Sequence, residues 1–183
     1  MFDLEIPIEF ISACLFTIFA MVIVGLNLSV TNYFCYVLTV FALVNLGESI
    51  GIIFCSIVDH VGFSVSLTNS LLGVFTVMSG LMSADMPLVL DRFNMISPVP
   101  YFTRLITINE FPSSVTFSCT PQDIAANICI YQNGTDVLNL LAQPGRFSFD
   151  PSKFVFYILT GSLLTIAYRI LAYLVLKARC YLN

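Results

Sequence analysis

The sequence predicts an all-α membrane protein with four transmembrane helices, a re-entrant helical segment and a disulfide-bonded external loop. Three observations carry this. The 183 residues are 58% hydrophobic and only 10% charged, with a mean hydropathy of +0.93, whereas soluble domains carry about 25% charged residues. Four apolar blocks, at about 8–28, 33–58, 62–84 and 154–176, each reach the roughly 20 residues needed to cross about 30 Å of hydrocarbon. Between the third and fourth blocks, Leu81 to Phe111 is neither a span nor a free loop: it holds Pro87, Pro98 and Pro100 with Asp85, Asp91, Arg92, Arg104 and Glu110, yet remains rich in Leu, Ile, Met and Phe. Proline removes a donor and clashes with the preceding turn, so no single helix runs through it. Non-helical backbone at membrane depth is tolerated where protein or water covers it, which predicts a dip and return within 81–111.

The elements follow in order. Met1 to Glu9 carries Asp3, Glu5 and Glu9 and no Lys or Arg, unlike the positive start of a cleavable signal peptide. Pro7 is placed to open the first helix. Gly25, Asn27, Ser29 and Asn32 mark a turn. The second span is interrupted only by Glu48, and Asp59–His60 forms a tight connection to an uncharged third. The external loop, 85–152, ends in the polar region 112–152, which holds Cys119, Cys129 and the glycosylation pattern Asn133-Gly134-Thr135. The fourth span contains Arg169 and ends at Lys177 and Arg179. Those two cations favour a cytoplasmic C-terminus, and long loops weigh little in that rule. Both termini are therefore expected inside and the loop outside, on the oxidising side that suits paired cysteines and a glycan.

Few residues point to chemistry. Glu48 and Arg169 cost about 2.5–3.5 kcal/mol each if left alone in a bilayer. Each lies fifteen residues into its span, counting from Tyr33 and Phe154, so both sit about 22 Å inward at helical rise. The expectation is an intramembrane pair; the bland alternative is a protonated Glu48 with Arg169 reaching for the inner surface. A Cys119–Cys129 bridge would fix the loop and contribute about 2–3 kcal/mol, the alternative being two free thiols. Cys14, Cys35 and Cys55 read as packing residues, and Cys180 past the last span as a weak acylation site. Asn133 is the candidate glycosylation site; Asn27-Leu28-Ser29 lies too close to the membrane. Gly47-x-x-x-Gly51 and Gly62, Ser66, Ser70 let helices approach closely. His60 is the single histidine, so no metal site is expected, nor any catalytic residue. There is no Gly-x-x-x-x-Gly-Lys-Ser/Thr phosphate loop and no basic patch for nucleic acid.

Several phrases together resemble one family. Glu5-Ile6-Pro7 leads to Val24-Gly25-Leu26, followed by Asn45-Leu46-Gly47-Glu48-Ser49-Ile50-Gly51. Then come Ser79-Gly80-Leu81 with Met86-Pro87, Ser97-Pro98 with Tyr101, Asn109-Glu110-Phe111 with Phe117-Ser118-Cys119, and Tyr168-Arg169-Ile170-Leu171-Ala172-Tyr173. In this order they resemble the second half of the membrane domain of ABC transporters of the G subfamily, the White and pleiotropic-drug-resistance type.

The resemblance implies that residues 1–183 form part of an exporter's transmembrane domain, the four spans corresponding to the third to sixth of six. It implies a re-entrant 97–111, a Cys119–Cys129 disulfide, and a substrate path along the third block here through Asn69, Gly73, Thr76, Leu81 and Met82, with the last two at an apolar plug. Its substrates are lipids, sterols or amphipathic compounds moved outward with ATP and Mg. Since no nucleotide-binding domain is present, the expected partners are such a domain or a complete half-transporter, a dimer, and the lipids of a plasma membrane. The alternative is a four-span scaffold of tetraspanin-like layout, although the Cys-Cys-Gly triplet of that family is absent.

Overall fold

A computed structural model describes residues 2–26, 29–79, 92–112, 114–118, 131, 133–141 and 149–182. The described chain is helical: α1 (Phe2–Val24), α2 (Val30–Ile57), α3 (Val61–Val77), α4 (Val99–Glu110), α5 (Gly134–Leu141) and α6 (Phe154–Leu182), the last preceded by a 3₁₀ turn at Pro151–Lys153. Among the described residues no strand forms, and Thr116 and Asn133 make an isolated antiparallel bridge.

Three helices are long and apolar enough to cross a membrane, over Ile6–Val24, Val30–Ile57 and Pro151–Tyr181. Large apolar side chains such as Phe16, Phe19, Ile23, Leu159 and Leu163 stand exposed along them, the surface a bilayer would cover. The first helix starts earlier and stops sooner than the 8–28 expected from the sequence. Pro7 lies inside the helix rather than at its start, past the first turn, so one i→i−4 hydrogen bond is forgone there. Its end is set by Gly25, at φ +73°, with the N–H groups of Gly25 and Leu26 both donating to Met21 O. That left-handed stop favours glycine.

The expected third span, 62–84, differs from what is seen. Helix α3 has 17 residues and gives way to a turn at Met78 and Ser79; at helical rise it is about 25 Å long, short of the roughly 30 Å core. Residues 80–91, which include Leu81 and Met82, lie outside the described residues, as do Cys119 and Cys129.

Packing centres on α2, which touches α1, α3, α4 and α6. Helix α1 runs antiparallel to it, with Tyr33 Oη donating to Cys14 O at 3.4 Å and Phe10 edge-on to Phe41 at 5.9 Å. Helix α6 runs parallel to α2, its late Arg179 reaching Asp59 just beyond α2. The N-terminal end of α1 and the C-terminal end of α6 therefore share one end of the bundle.

Helix α4 is the element that departs from a simple bundle. Pro98 and Pro100 occupy its N-cap and first turn, where proline is tolerated. Val99 joins a core with Leu46, Ile50 and Phe75. Further along, Phe102 and Leu105 pack on Ala42, and Glu110 meets Tyr36. Helix α4 thus runs antiparallel to α2, from mid-bundle toward the N-terminal end of α2. With 12 residues it is about 18 Å long, too short to cross.

Candidate functional site

The polar groups gather where α1, α2 and α6 meet. Arg169 Nη1 donates to Glu48 Oε2 at 2.9 Å. The arginine side chain is 21% exposed and the carboxylate 39%, so the pair is open along one side of the described chain. The parallel course of α2 and α6 places the two residues at one level, and neither helix carries another charge at that depth.

One turn back on α2, Asn45 Nδ2 donates to Glu9 Oε2 of α1 at 3.0 Å and to Phe41 O at 3.0 Å. Glu9 lies about two turns into a helix that begins at Phe2, and it is half-buried against α2. Ser49 Oγ donates to Asn45 O at 2.6 Å. Four residues on three helices, Glu9, Asn45, Glu48 and Arg169, form two adjacent polar bridges in an apolar bundle. Interhelical hydrogen bonds of this kind contribute about 0.6–1.7 kcal/mol in membrane proteins.

Two further contacts tie the ends. At the end shared by the chain's termini, Arg179 Nη2 lies 2.5 Å from Asp59 Oδ1, while Nη1 donates to the carbonyls of Cys55 and Ser56. One guanidinium thus caps the last turn of α2, the favoured place for a cation. At the opposite end, Tyr36 Oη donates to Glu110 Oε2 at 2.8 Å, and the Arg104 guanidinium lies 5.9 Å from the Tyr101 ring and 5.7 Å from Tyr157.

The path residues behave differently. Asn69, Gly73 and Thr76 follow at intervals of four and three, so they share a face of α3, and that face is exposed. Nothing lies within 4 Å of a side chain built at Gly73. Hydroxyls on the helix are satisfied internally: Ser66 donates to Gly62 O and Thr76 to Leu72 O. Asn133 is exposed at the start of α5, its N–H donating to Asp136 Oδ2.

Glu9, Asn45, Tyr36–Glu110 and Arg179–Asp59 were missed by sequence reasoning. The signal for the first two was present. Asn45 stands three residues before Glu48 on one helical face, and Glu9 directly adjoins an uncharged run. The other two depend on chain reversals that no periodicity places.

Residues 3–111 match the family model of the ABC-2 type transporter, a stretch that runs from the start of α1 through the end of α4. The chain belongs to the ABC-2 type transporter family. Aligned over 179 residues, it is 31% identical to an uncharacterized ABC transporter ATP-binding protein/permease of Saccharomyces cerevisiae. The alignment takes in 96% of this chain and 13% of that relative. The ABC-2 type match and the three long apolar helices together describe an integral membrane domain.

Proposed function

We propose that this ABC-2 type chain is the permease portion of an ATP-driven exporter of lipids, sterols or amphipathic compounds. The observation that carries the reading is the family match, which is continuous through α1, α2, α3 and α4. In this reading the third apolar block, 62–84, makes the fourth crossing. Helix α4 is the core of a re-entrant segment at 97–111, supported by its course from mid-bundle to the Tyr36 level. The external loop 85–152 carries a Cys119–Cys129 disulfide and a glycan on Asn133. Both termini are cytoplasmic, supported by their common end of the bundle and by Lys177 and Arg179 there, and the membrane is the plasma membrane.

The exposed, internally satisfied face of α3 is the proposed half of a substrate path, with Asn69, Gly73 and Thr76 along it and Leu81 and Met82 at its plug. A dimer would supply the facing half. The residues present do not fit ATP and Mg, because the sequence has no phosphate loop; a nucleotide-binding domain elsewhere would hold them and supply the energy of hydrolysis. This chain's own contribution is the conduit.

Affinity isolation of the native protein tests the reading. The expected result is a bound or fused polypeptide with a phosphate loop. Export of a fluorescent lipid should then require ATP and be blocked by Asn69→Trp or Gly73→Trp without loss of expression. Native protein with no ATP-binding chain attached, bound or fused, would overturn it.

A further inference from the structure

Among the described residues four cysteines are free, and they fall into two kinds. Cys14 and Cys35 are half-buried between helices. Cys55, in the last turn of α2, and Cys180, in the last turn of α6, are exposed. The sequence alone reads Cys55 as a packing residue; its exposure shows otherwise.

The two exposed cysteines share one end of the bundle and one depth. Arg179, the residue before Cys180, donates from Nη1 to the Cys55 carbonyl at 3.2 Å and pairs through Nη2 with Asp59. Asp59 follows Cys55 by four residues, and Lys177 precedes Cys180 by three. The charges of Asp59, Lys177 and Arg179 mark where the apolar spans meet water. Both cysteines therefore lie within about one helical turn, about 6 Å, of that boundary. Beside them, Ile57 is 66% exposed and Leu176 is 46% exposed, an apolar surface of the kind a bilayer covers.

A thiol at this level meets a particular class of reagent. A long-chain acyl-CoA keeps its hydrocarbon in the leaflet, which leaves its thioester at the water boundary and its anionic phosphates outside. Lys177, exposed one turn before Cys180, has the charge opposite to those phosphates. Cysteines at such juxtamembrane positions are open to S-acylation, whereas cysteines packed inside a bundle are not.

We propose that Cys55 and Cys180 form a paired S-acylation site that takes long-chain fatty acyl groups from acyl-CoA. Each cysteine Sγ, as the thiolate, attacks the thioester carbonyl carbon. The bond from that carbon to the coenzyme A sulfur breaks, and coenzyme A leaves as the thiol, carrying the proton that the cysteine gave up. One thioester replaces another, so no oxidant or reductant takes part. The acyl chains enter the leaflet beside Ile57 and Leu176. The inference rests on the reading that this end of the bundle is cytoplasmic, where acyl-CoA is supplied; it does not rest on transport.

Acyl-exchange mass tagging of the full chain, expressed in a eukaryotic host supplied with palmitate, tests this. Disulfides are reduced, free thiols are blocked with N-ethylmaleimide, thioesters are cleaved with hydroxylamine, and the thiols released are tagged with a polyethylene-glycol maleimide. The native chain is expected to shift by two tags, only when hydroxylamine is present. Cys55→Ser and Cys180→Ser should each shift by one, and the double variant by none. Cys14→Ser and Cys35→Ser should keep both tags. An epitope at the C-terminus, probed before and after permeabilisation, reads the orientation separately. No tag on a native chain whose C-terminus is inside would overturn the proposal and leave the orientation standing. A single tag on the native chain, or tags that persist in the double variant, would overturn it as well. A C-terminal epitope reached on intact cells would overturn the orientation and the proposal with it.

Discussion

Glu48 and Arg169 show how a bilayer changes the worth of a single contact. On a soluble surface a pair this exposed would contribute about 0–1 kcal/mol. Within α2 and α6 the reference is a lone charge in hydrocarbon, costing about 2.5–3.5 kcal/mol. Arg169→Gln or Glu48→Gln alone should therefore destabilise the chain by about 2–3 kcal/mol, and the double variant should recover most of that loss. Unfolding of all four species in detergent micelles measures the coupling; additive losses would show that the contact carries no energy. Outside the helices, Asp150 gives a pH-dependent case. Hydrogen bonds from Ser152, its side chain and then its N–H, hold the Asp150 carboxyl below the usual carboxylate range, with Lys153 adding a smaller pull. A lowered pKa contributes stability above the unfolded value, near 3.9, that fades as pH falls through the folded one. The stability gap between the native chain and Asp150→Asn should be constant above about pH 5 and close on acidification. A gap unchanged at pH 3 would deny the cap a role.

At the scale of elements, α4 is held by shape as well as by apolar area. A methyl group at Gly161 of α6 would lie 3.0–3.2 Å from three ring atoms of Phe102, and that ring is 1% exposed, so it has little room to yield. Gly161→Ala should cost about 1–3 kcal/mol by overpacking, while Gly51→Ala, with nothing within 4 Å, should cost far less. Thermal melting of both compares them directly, and Phe102→Leu in the Gly161→Ala background should restore part of the loss. At Gly134, a methyl group would collide with Pro112 O and the Phe111 carbonyl; Gly134→Ala must therefore displace α5 from the end of α4, which limited proteolysis of the loop would register as faster cleavage. The long helices were legible from apolar length alone, since α1, α2 and α6 need only composition to be found. The limits of α1 and α3 were not, because Gly25's left-handed turn and the turn at Met78 are local backbone events inside apolar sequence. Helix α4 was legible as a break, through Pro98 and Pro100, yet its antiparallel seat on α2 depends on Phe102 finding Gly161, a long-range fit.

Across the described helices, Glu48 and Arg169 bridge α2 and α6 within the bundle, and Asp59 and Arg179 pair at one end of it. Glu9 illustrates what a count of uncharged residues misses: it closes the acidic N-terminal run in sequence but faces Asn45 in space. The depth of Glu48 and Arg169, by contrast, lies within reach of a count, since both stand fifteen residues from the start of an apolar block. The path residues were named from a family resemblance, and the exposed α3 face gives Asn69, Gly73 and Thr76 a common surface without itself assigning a substrate. The account stands on a membrane-embedded bundle whose 112–152 loop and whose termini lie on opposite sides. Epitope tags inserted after Gly134 and at the C-terminus, probed with antibody on intact and permeabilised cells, measure this directly. The account predicts that the first tag is bound on intact cells and the second only after permeabilisation. Binding of the C-terminal tag on intact cells, with the loop tag hidden, would contradict it.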